Sequence, residues 1–279
     1  MTKYFIVSDV HSFYDELQTA LEKKGWDPKD PSHVFVSLGD LLDRGPDAVK
    51  CLQFVNGLPN KKKILILGNH EDLMIDAQMY QRFGMHDIHN RTDDTCYQIV
   101  DYLKGYDVAD GESCKFYLSE EEILNTVRDS EIWNTYYDSC VDYAEIVDNI
   151  FVHGWIPCDI EYSYNSHSYD IKNYTYLSNW RESSKWRDAR WINGMDAWNN
   201  GVREPGKTIW AGHWHTSWGH ANIHNDGQEW LDKIETYYQD ENGVVHPYAK
   251  FTPFKDDGIV AMDACTAYSN FVNCEVLEI

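Results

Sequence analysis

The chain has 279 residues, enough to bury a sizeable core as one large domain with insertions or as two small ones. Its 24 basic against 46 acidic residues leave a net charge of −22, which repels polyanions at long range and argues against extended nucleic acid as a partner. Seven scattered cysteines without a CxxC pair read as reduced thiols. The short apolar stretch before Ser8 is no signal-peptide core or membrane span, so the expectation is a soluble, cytoplasmic protein that engages no membrane.

Three apolar runs end in polar residues: YFIVSD (4–9), HVFVSLGD (33–40) and KILILGNHE (63–71). Helical spacing follows the first at Phe13, Leu17, Ala20 and Leu21 with Gly25 as a stop, and the second at Ala48, Val49, Leu52 and Val55 behind Pro46. This β-α-β-α-β order predicts an α/β fold with a mainly parallel sheet, whose chemistry collects at the carboxyl ends of the strands. Residues 72–147 show no convincing strand and read as a helical insertion; SEEE at 119–122 supplies an N-cap and an acidic first turn. NIFVHG (149–154) and KTIWAGHWH (207–215) read as strands, and the polar stretch 158–180 between them as loop. GIVAMDA (258–264) and NFVNCEVLEI (270–279) read as a closing hairpin or pair, while 225–257 is acidic and poorly periodic.

The residues at the ends of the runs form a constellation: Asp9 and His11; Asp40, Asp43 and Arg44; Asn69 and His70; His153; His213 and His215. Any one group is ordinary, since a strand-end histidine usually just satisfies local hydrogen bonds. Five groups at one sheet edge would be costly to bury unpartnered, and a pair of divalent cations is the economical partner. Carboxylate, imidazole and amide ligands suit Mn²⁺, with Fe, Zn²⁺ or Ni²⁺ as alternatives, better than an all-oxygen or all-thiolate site would. Two ions held roughly 3.5–4 Å apart clamp the attacking and leaving oxygens of a phosphoryl displacement, so the inventory points to phosphate-ester hydrolysis. If the strand through 207–215 persists, His213 and His215 face the same way, towards the ions, and Trp214 faces away.

SDVHS, GDLLDRG, GNHE, VHG and GHWH resemble the successive signatures of the calcineurin-like metallophosphoesterases. GDLLDRG with GNHE is similar to the phosphoprotein phosphatase branch, the serine/threonine phosphatases, in their bacterial type. The resemblance implies an αββα sandwich, two mixed sheets flanked by helices, formed by residues 1–279 as a single domain with the helical insertion at about 72–147 as a cap. It implies two metal sites bridged by Asp40: Asp9, His11 and His215 complete the first, and Asn69, His153 and His213 the second. His70 then acts as general acid, oriented by Asp43, while Arg44 forks onto the substrate phosphate. A second phosphate-binding arginine is expected among Arg181, Arg187 and Arg190, with Arg190 in ARWING most similar in context; the bland reading is surface pairing with Glu182 and Asp188.

The chain departs from the pattern where Ser8 and Ser12 flank the first motif in place of glycines, and where Trp155 replaces the second glycine of HGG. Trp155 is thereby expected to wall the cleft. Glu71 reads either as a helix-start acid or as something more. The resemblance implies attack by a metal-bridging hydroxide on a phosphomonoester, foremost phosphoserine or phosphothreonine in a protein or peptide. The alternative is a dinucleoside polyphosphate or other nucleotide, with Trp155, Trp186, Trp191 and Trp214 able to stack a base. A non-catalytic scaffold is the third reading, disfavoured because the ligand positions and His70 are all present.

Overall fold

Each apolar run forms a strand with both faces buried, and this alternation sets the layers. The computed structural model describes residues 1–164, 169–230, 237–239 and 245–279. Its strands are β1 (Lys3–Val7), β2 (His33–Ser37), β3 (Lys63–Ile66), β4 (Cys140–Val141), β5 (Ala144–Ile146), β6 (Asn149–Phe151), β7 (Cys158–Tyr164), β8 (Tyr169–Tyr176), β9 (Thr208–Ala211), β10 (Tyr237–Gln239), β11 (Val245–Pro247), β12 (Phe254–Asp256), β13 (Ile259–Ala261) and β14 (Cys274–Glu278). The helices are α1 (Tyr14–Lys24), α2 (Ala48–Gly57), α3 (Asn69–Tyr80), α4 (Met85–Asn90), α5 (Thr92–Lys104), α6 (Glu120–Arg128), α7 (Glu131–Tyr137), α8 (Trp186–Ala189), α9 (Gly194–Asn199), α10 (Ser217–Asn222) and α11 (Thr266–Ser269). None is long and apolar enough to cross a membrane.

Two five-stranded mixed sheets result, in the orders β14-β1-β2-β3-β4 and β12-β13-β9-β6-β5. In the first, β1 to β4 run parallel and β14 lies antiparallel on β1; in the second, β6, β9 and β13 run parallel. Ile6, Val36 and Ile66 from one sheet meet Phe151, Trp210 and Val260 from the other in a shared middle core. Their neighbours Phe5, Val7, Phe35 and Leu65 point outward, onto α1, α2, α3, α5, α6 and α7. Ile150, Ile209 and Ile259 point the other way, onto Trp155, Trp180, α8 and α9. Period-two side chains buried on both sides give a helix-sheet-sheet-helix stack, and explain why these strands read as unbroken apolar runs.

Three sequence expectations need correction. Residues 158–180 are not loop: β7 and β8 pair antiparallel, Cys158 with Tyr176 and Tyr164 with Tyr169. Cys158 and Tyr174 are buried while Asp159 and Glu161 are exposed, and a hairpin solvated on one face carries a weak apolar signal. The closing segments do not pair with each other, because β13 joins β9 in the second sheet and β14 joins β1 in the first, with α11 crossing between. The stretch 72–147 ends in the short strands β4 and β5, two and three residues long, too brief to show periodicity. Within it, Ser119 caps α6 in a reciprocal box with Glu122, as SEEE predicts. Of the acidic stretch 225–257, residues 231–236 and 240–244 lie outside the described residues.

Candidate metal centre

The site lies where β1, β2, β3, β6 and β9 run out, and its loops hold their residues in unusual backbone. Asp9, His11, Asp40, Asp43, Arg44 and His213 all have positive φ, between 50° and 71°. Such conformations cost of order 1–3 kcal/mol each unless tertiary bonds impose them. Here His11 N–H donates to the Asp40 carbonyl, Ser12 N–H to that of Leu41, and Gly45 N–H to that of His11.

Asp40 is the hub. Its carboxylate lies 3.3 Å from His153 Nε2, 3.7 Å from His70 Nε2 and 3.9 Å from His11 Nε2, and accepts the His70 main-chain N–H at 3.0 Å. Two groups of potential ligands therefore share it: His11, Asp40 and His70, and Asp40, His153 and His213. Asn69 Oδ1 joins the second, 2.8 Å from His153 Nε2 and 2.9 Å from His213 Nδ1. Asp9 sits alongside, its carboxylate accepting the His213 main-chain N–H at 3.1 Å and the Ser8 hydroxyl. Outer partners set the tautomers: His11 Nδ1 lies 3.0 Å from the Leu42 carbonyl and His153 Nδ1 2.7 Å from that of Leu38. Each Nδ1 donates outward, which turns the Nε2 lone pair inward as metal ligation requires.

The electrostatics suit a cation. Burial, with the nearby Arg44 and His70, holds His11 well below its usual range, and burial with the charge of His153 lowers His213 to about 3. Burial opposes a charge on His153 too, yet the Asp40 and Asp9 carboxylates raise it to about 9. Burial likewise opposes charge on Asp40, but the surrounding imidazoles keep it well below its ordinary value. Asp9 is raised well above its own by burial and by Asp263. Carboxylate, amide and imidazole atoms thus converge on Asp40, a donor set that fits a pair of divalent ions, and the upward shifts of His153 and Asp9 mean that a cation bound there would displace protons.

His70 Nδ1 lies 2.8 Å from Asp43, whose carboxylate also accepts the hydroxyls of Thr92 at 2.6 Å and Thr95 at 2.7 Å. On the other side of the ring, Arg44 Nη2 stands 3.3 Å from Nε2 and 3.4 Å from Asn90 Oδ1. Glu71, left open by the sequence, is a structural clamp. One carboxylate oxygen accepts the N–H groups of Gly68 and Asp40 and the other that of Leu41 and the Tyr136 hydroxyl, at 2.8–3.2 Å.

Other expected residues lie differently. β9 ends at Ala211, and a Gly212–Trp214 turn breaks the strand periodicity, so His213 and His215 do not share a strand face. His215 falls outside both ligand groups, with Nδ1 2.8 Å from Ser217 Oγ and its ring against Trp214 and Trp230. Arg190 is buried with its guanidinium on Asp72, at 2.7 Å, and on Asp142. Arg187 reaches Asp76 and Arg181 reaches Glu145 and Glu204, in place of the expected Glu182 and Asp188. Trp155 does not wall the cleft, nor does Trp186: both are buried in the outer core of the second sheet, Trp155 donating its indole N–H to Val202. Trp191 and Trp214 do flank His213. The sequence reasoning missed Thr92, Thr95, Tyr136 and Asp263, none of which belongs to a motif; burial raises Asp263 to about 6. No disulfide joins the cysteines of the described residues.

The chain is similar to known proteins. Over 71 residues the chain is 44% identical to the symmetrical bis(5'-nucleosyl)-tetraphosphatase of Baumannia cicadellinicola subsp. Homalodisca coagulata, covering 25% of this chain and 23% of that protein. Over 74 residues it is 35% identical to serine/threonine-protein phosphatase 1 of Salmonella typhimurium, covering 26% and 32%, which is consistent with the phosphoprotein phosphatase branch. The chain thus spans about a quarter to a third of the length of these relatives. The cold-active protein-tyrosine phosphatase of a psychrophile Shewanella sp. has a similar fold, with a TM-score of 0.51 at 15% identity over 100% of this chain and 76% of that one. Residues 2–246, which carry every candidate ligand, match the calcineurin-like phosphoesterase family, and the chain belongs to that family.

Proposed function

We propose that this chain hydrolyses phosphoric esters or anhydrides with two divalent ions, Mn²⁺ foremost. The observation that supports this reading is the sharing of Asp40 between two adjoining ligand groups. Asp9, His11 and Asp40 would hold one ion, to which His215, bonded to Ser217, would be the further ligand, and Asp40, Asn69, His153 and His213 would hold the other. Bound ions would supply an activated water and offset the charge of the phosphoryl group.

The chain's own residues do the rest. Although His70 lies within ligand distance of His11 and Asp40, its Nε2 faces the Arg44 guanidinium, which disfavours a cation on that atom. Asp43 accepts from Nδ1–H and so aims Nε2 into the site; with the Arg44 guanidinium drawn onto the substrate phosphate, Nε2 is the atom placed to hand a proton to the leaving oxygen. Arg44 orients the phosphate. Arg190, neutralised by Asp72 and Asp142, would steady the first turn of α3, which carries Asn69 and His70, instead of binding phosphate.

Both substrate readings, a phosphoserine or phosphothreonine peptide and a dinucleoside polyphosphate, use this chemistry, and relatives carry both kinds of name. Purified protein is assayed with Mn²⁺ on a phosphopeptide, diadenosine tetraphosphate and an aryl phosphate, before and after EDTA. Chelator-sensitive turnover of at least one is expected; no turnover and no bound divalent ion would leave the scaffold reading standing.

A further inference from the structure

Beside the candidate centre lies a cavity of about 600 Å³, within the range of small-molecule sites. Ile160, Tyr162 and Ile171 of the β7–β8 hairpin line it together with Trp191 and Trp214. Both indoles are unusually open, at 42% and 36% exposure, and both touch the candidate ligand His213, with ring centroids 5.7 and 5.9 Å away. Each is also backed by an imidazole: His86 stacks on Trp191 at 5.5 Å and His215 on Trp214 at 5.9 Å. The walls are therefore rigid aromatic surfaces leading away from the phosphate position, preorganised for a flat ligand.

The polar groups narrow the ligand class. Asp188 and Asp196 line the cavity, and the one cationic side chain that lines it among the described residues, Lys185, is engaged by Asp159. Carboxylates without a spare cation repel further phosphates or acidic peptide, but accept hydrogen bonds from ring amino groups. We propose that this cavity is a nucleobase site, in which the base of a nucleotide substrate lies along Trp191 and Trp214 with its amino edge towards Asp188, while the phosphate chain crosses His213. The proposal rests on the hydrolytic reading above for its connection to catalysis, but base binding itself needs no metal.

Wild-type protein, Trp191→Ala and Ile171→Trp are assayed with Mn²⁺ on diadenosine tetraphosphate and on tripolyphosphate, which has no base. Ile171→Trp fills the cavity from the hairpin and serves if Trp191→Ala does not fold. The ratio of kcat/KM on the nucleotide to that on tripolyphosphate is expected to fall on the order of tenfold, through KM. An unchanged ratio overturns the proposal. So does a phosphoserine peptide whose turnover drops as much as the nucleotide's, since the cavity would then be a peptide subsite. Separately, adenosine titrated into metal-free protein should quench tryptophan fluorescence in the wild type and not in Ile171→Trp; absence of quenching overturns the base site. Quenching without hydrolysis of either phosphate would support the base site while sinking the catalytic reading.

Discussion

The loops that carry the candidate ligands and the helices between α3 and β4 are held together in opposite ways. In the helices, positive φ falls where a helix stops, at Gln81, Arg91 and Gly105, and Ser119 and Ser130 cap α6 and α7 with their hydroxyls. Local sequence suffices there. In the site loops, positive φ falls on aspartates, histidines, Ser12 and Arg44, and what imposes it comes from distant segments, such as the Glu71 carboxylate on Asp40 and Leu41. The regions meet where α7 offers the Tyr136 hydroxyl to Glu71 and α5 offers Thr92 and Thr95 to Asp43. The helical segment braces the loops from behind, which a sequence-based cap reading does not foresee. Substitutions in the loops should accordingly change chemistry more than stability, and substitutions in the helices the reverse.

The sharpest test is His70→Asn, expected to lower kcat by about 10²–10⁴-fold with metal content unchanged. Steady-state kinetics beside metal analysis would check this, and wild-type kcat would refute the proton-donor role. Next comes Gly212→Ala. A Cβ there would overlap the Ser8 hydroxyl and the Asp9 carboxylate, while the chain is pinned by its N–H to the His153 carbonyl. Mn²⁺ titration should show at least a tenfold loss of affinity with the circular dichroism spectrum retained. Global unfolding would instead place the site loops within the stability core and break the contrast.

A third test uses pH. Asp263, raised by burial to about 6 from an ordinary 3.8, stays protonated in the folded metal-free protein where the unfolded chain has already ionised. The unfolded state is then the more charged, so this group's contribution makes stability fall as pH rises from about 4 to 6, by up to about 3 kcal/mol, and level off above. Asp263→Asn should flatten that slope in denaturant melts of chelated protein; an unaltered slope would show that the folded carboxyl ionises normally. The smallest effect is expected of Ser119→Ala, which removes the α6 cap for about 1 kcal/mol. Thermal melts should register it while kcat, KM and Mn²⁺ affinity stay at wild-type values.

The strands with two buried faces were legible because burial on both sides makes apolar runs, and the ligand motifs because short runs of Asp, His and Asn at strand ends have no cheap structural explanation. The β7–β8 hairpin escaped notice because its outer face is solvated, and the split of the last two strands between sheets because local pattern carries no information on partner. Trp155 shows the same limit: its position after VHG suggested a cleft wall, whereas it packs into the core of the second sheet.

By itself, the sequence determined the strands with two buried faces and the cluster of groups fit to bind metal, since both follow from the period and chemistry of contiguous residues; the pattern read as one parallel sheet, and the division of the strands between two sheets was implied only by the family resemblance. Only the tertiary structure decided how those groups are oriented. It turned the chain after Gly212 so that His213 alone enters a ligand group, gave Arg190 to Asp72 and Asp142, and placed Thr92, Thr95 and Tyr136 behind Asp43 and Glu71. These contacts join residues 48 to 118 positions apart along the chain, and no local propensity encodes them.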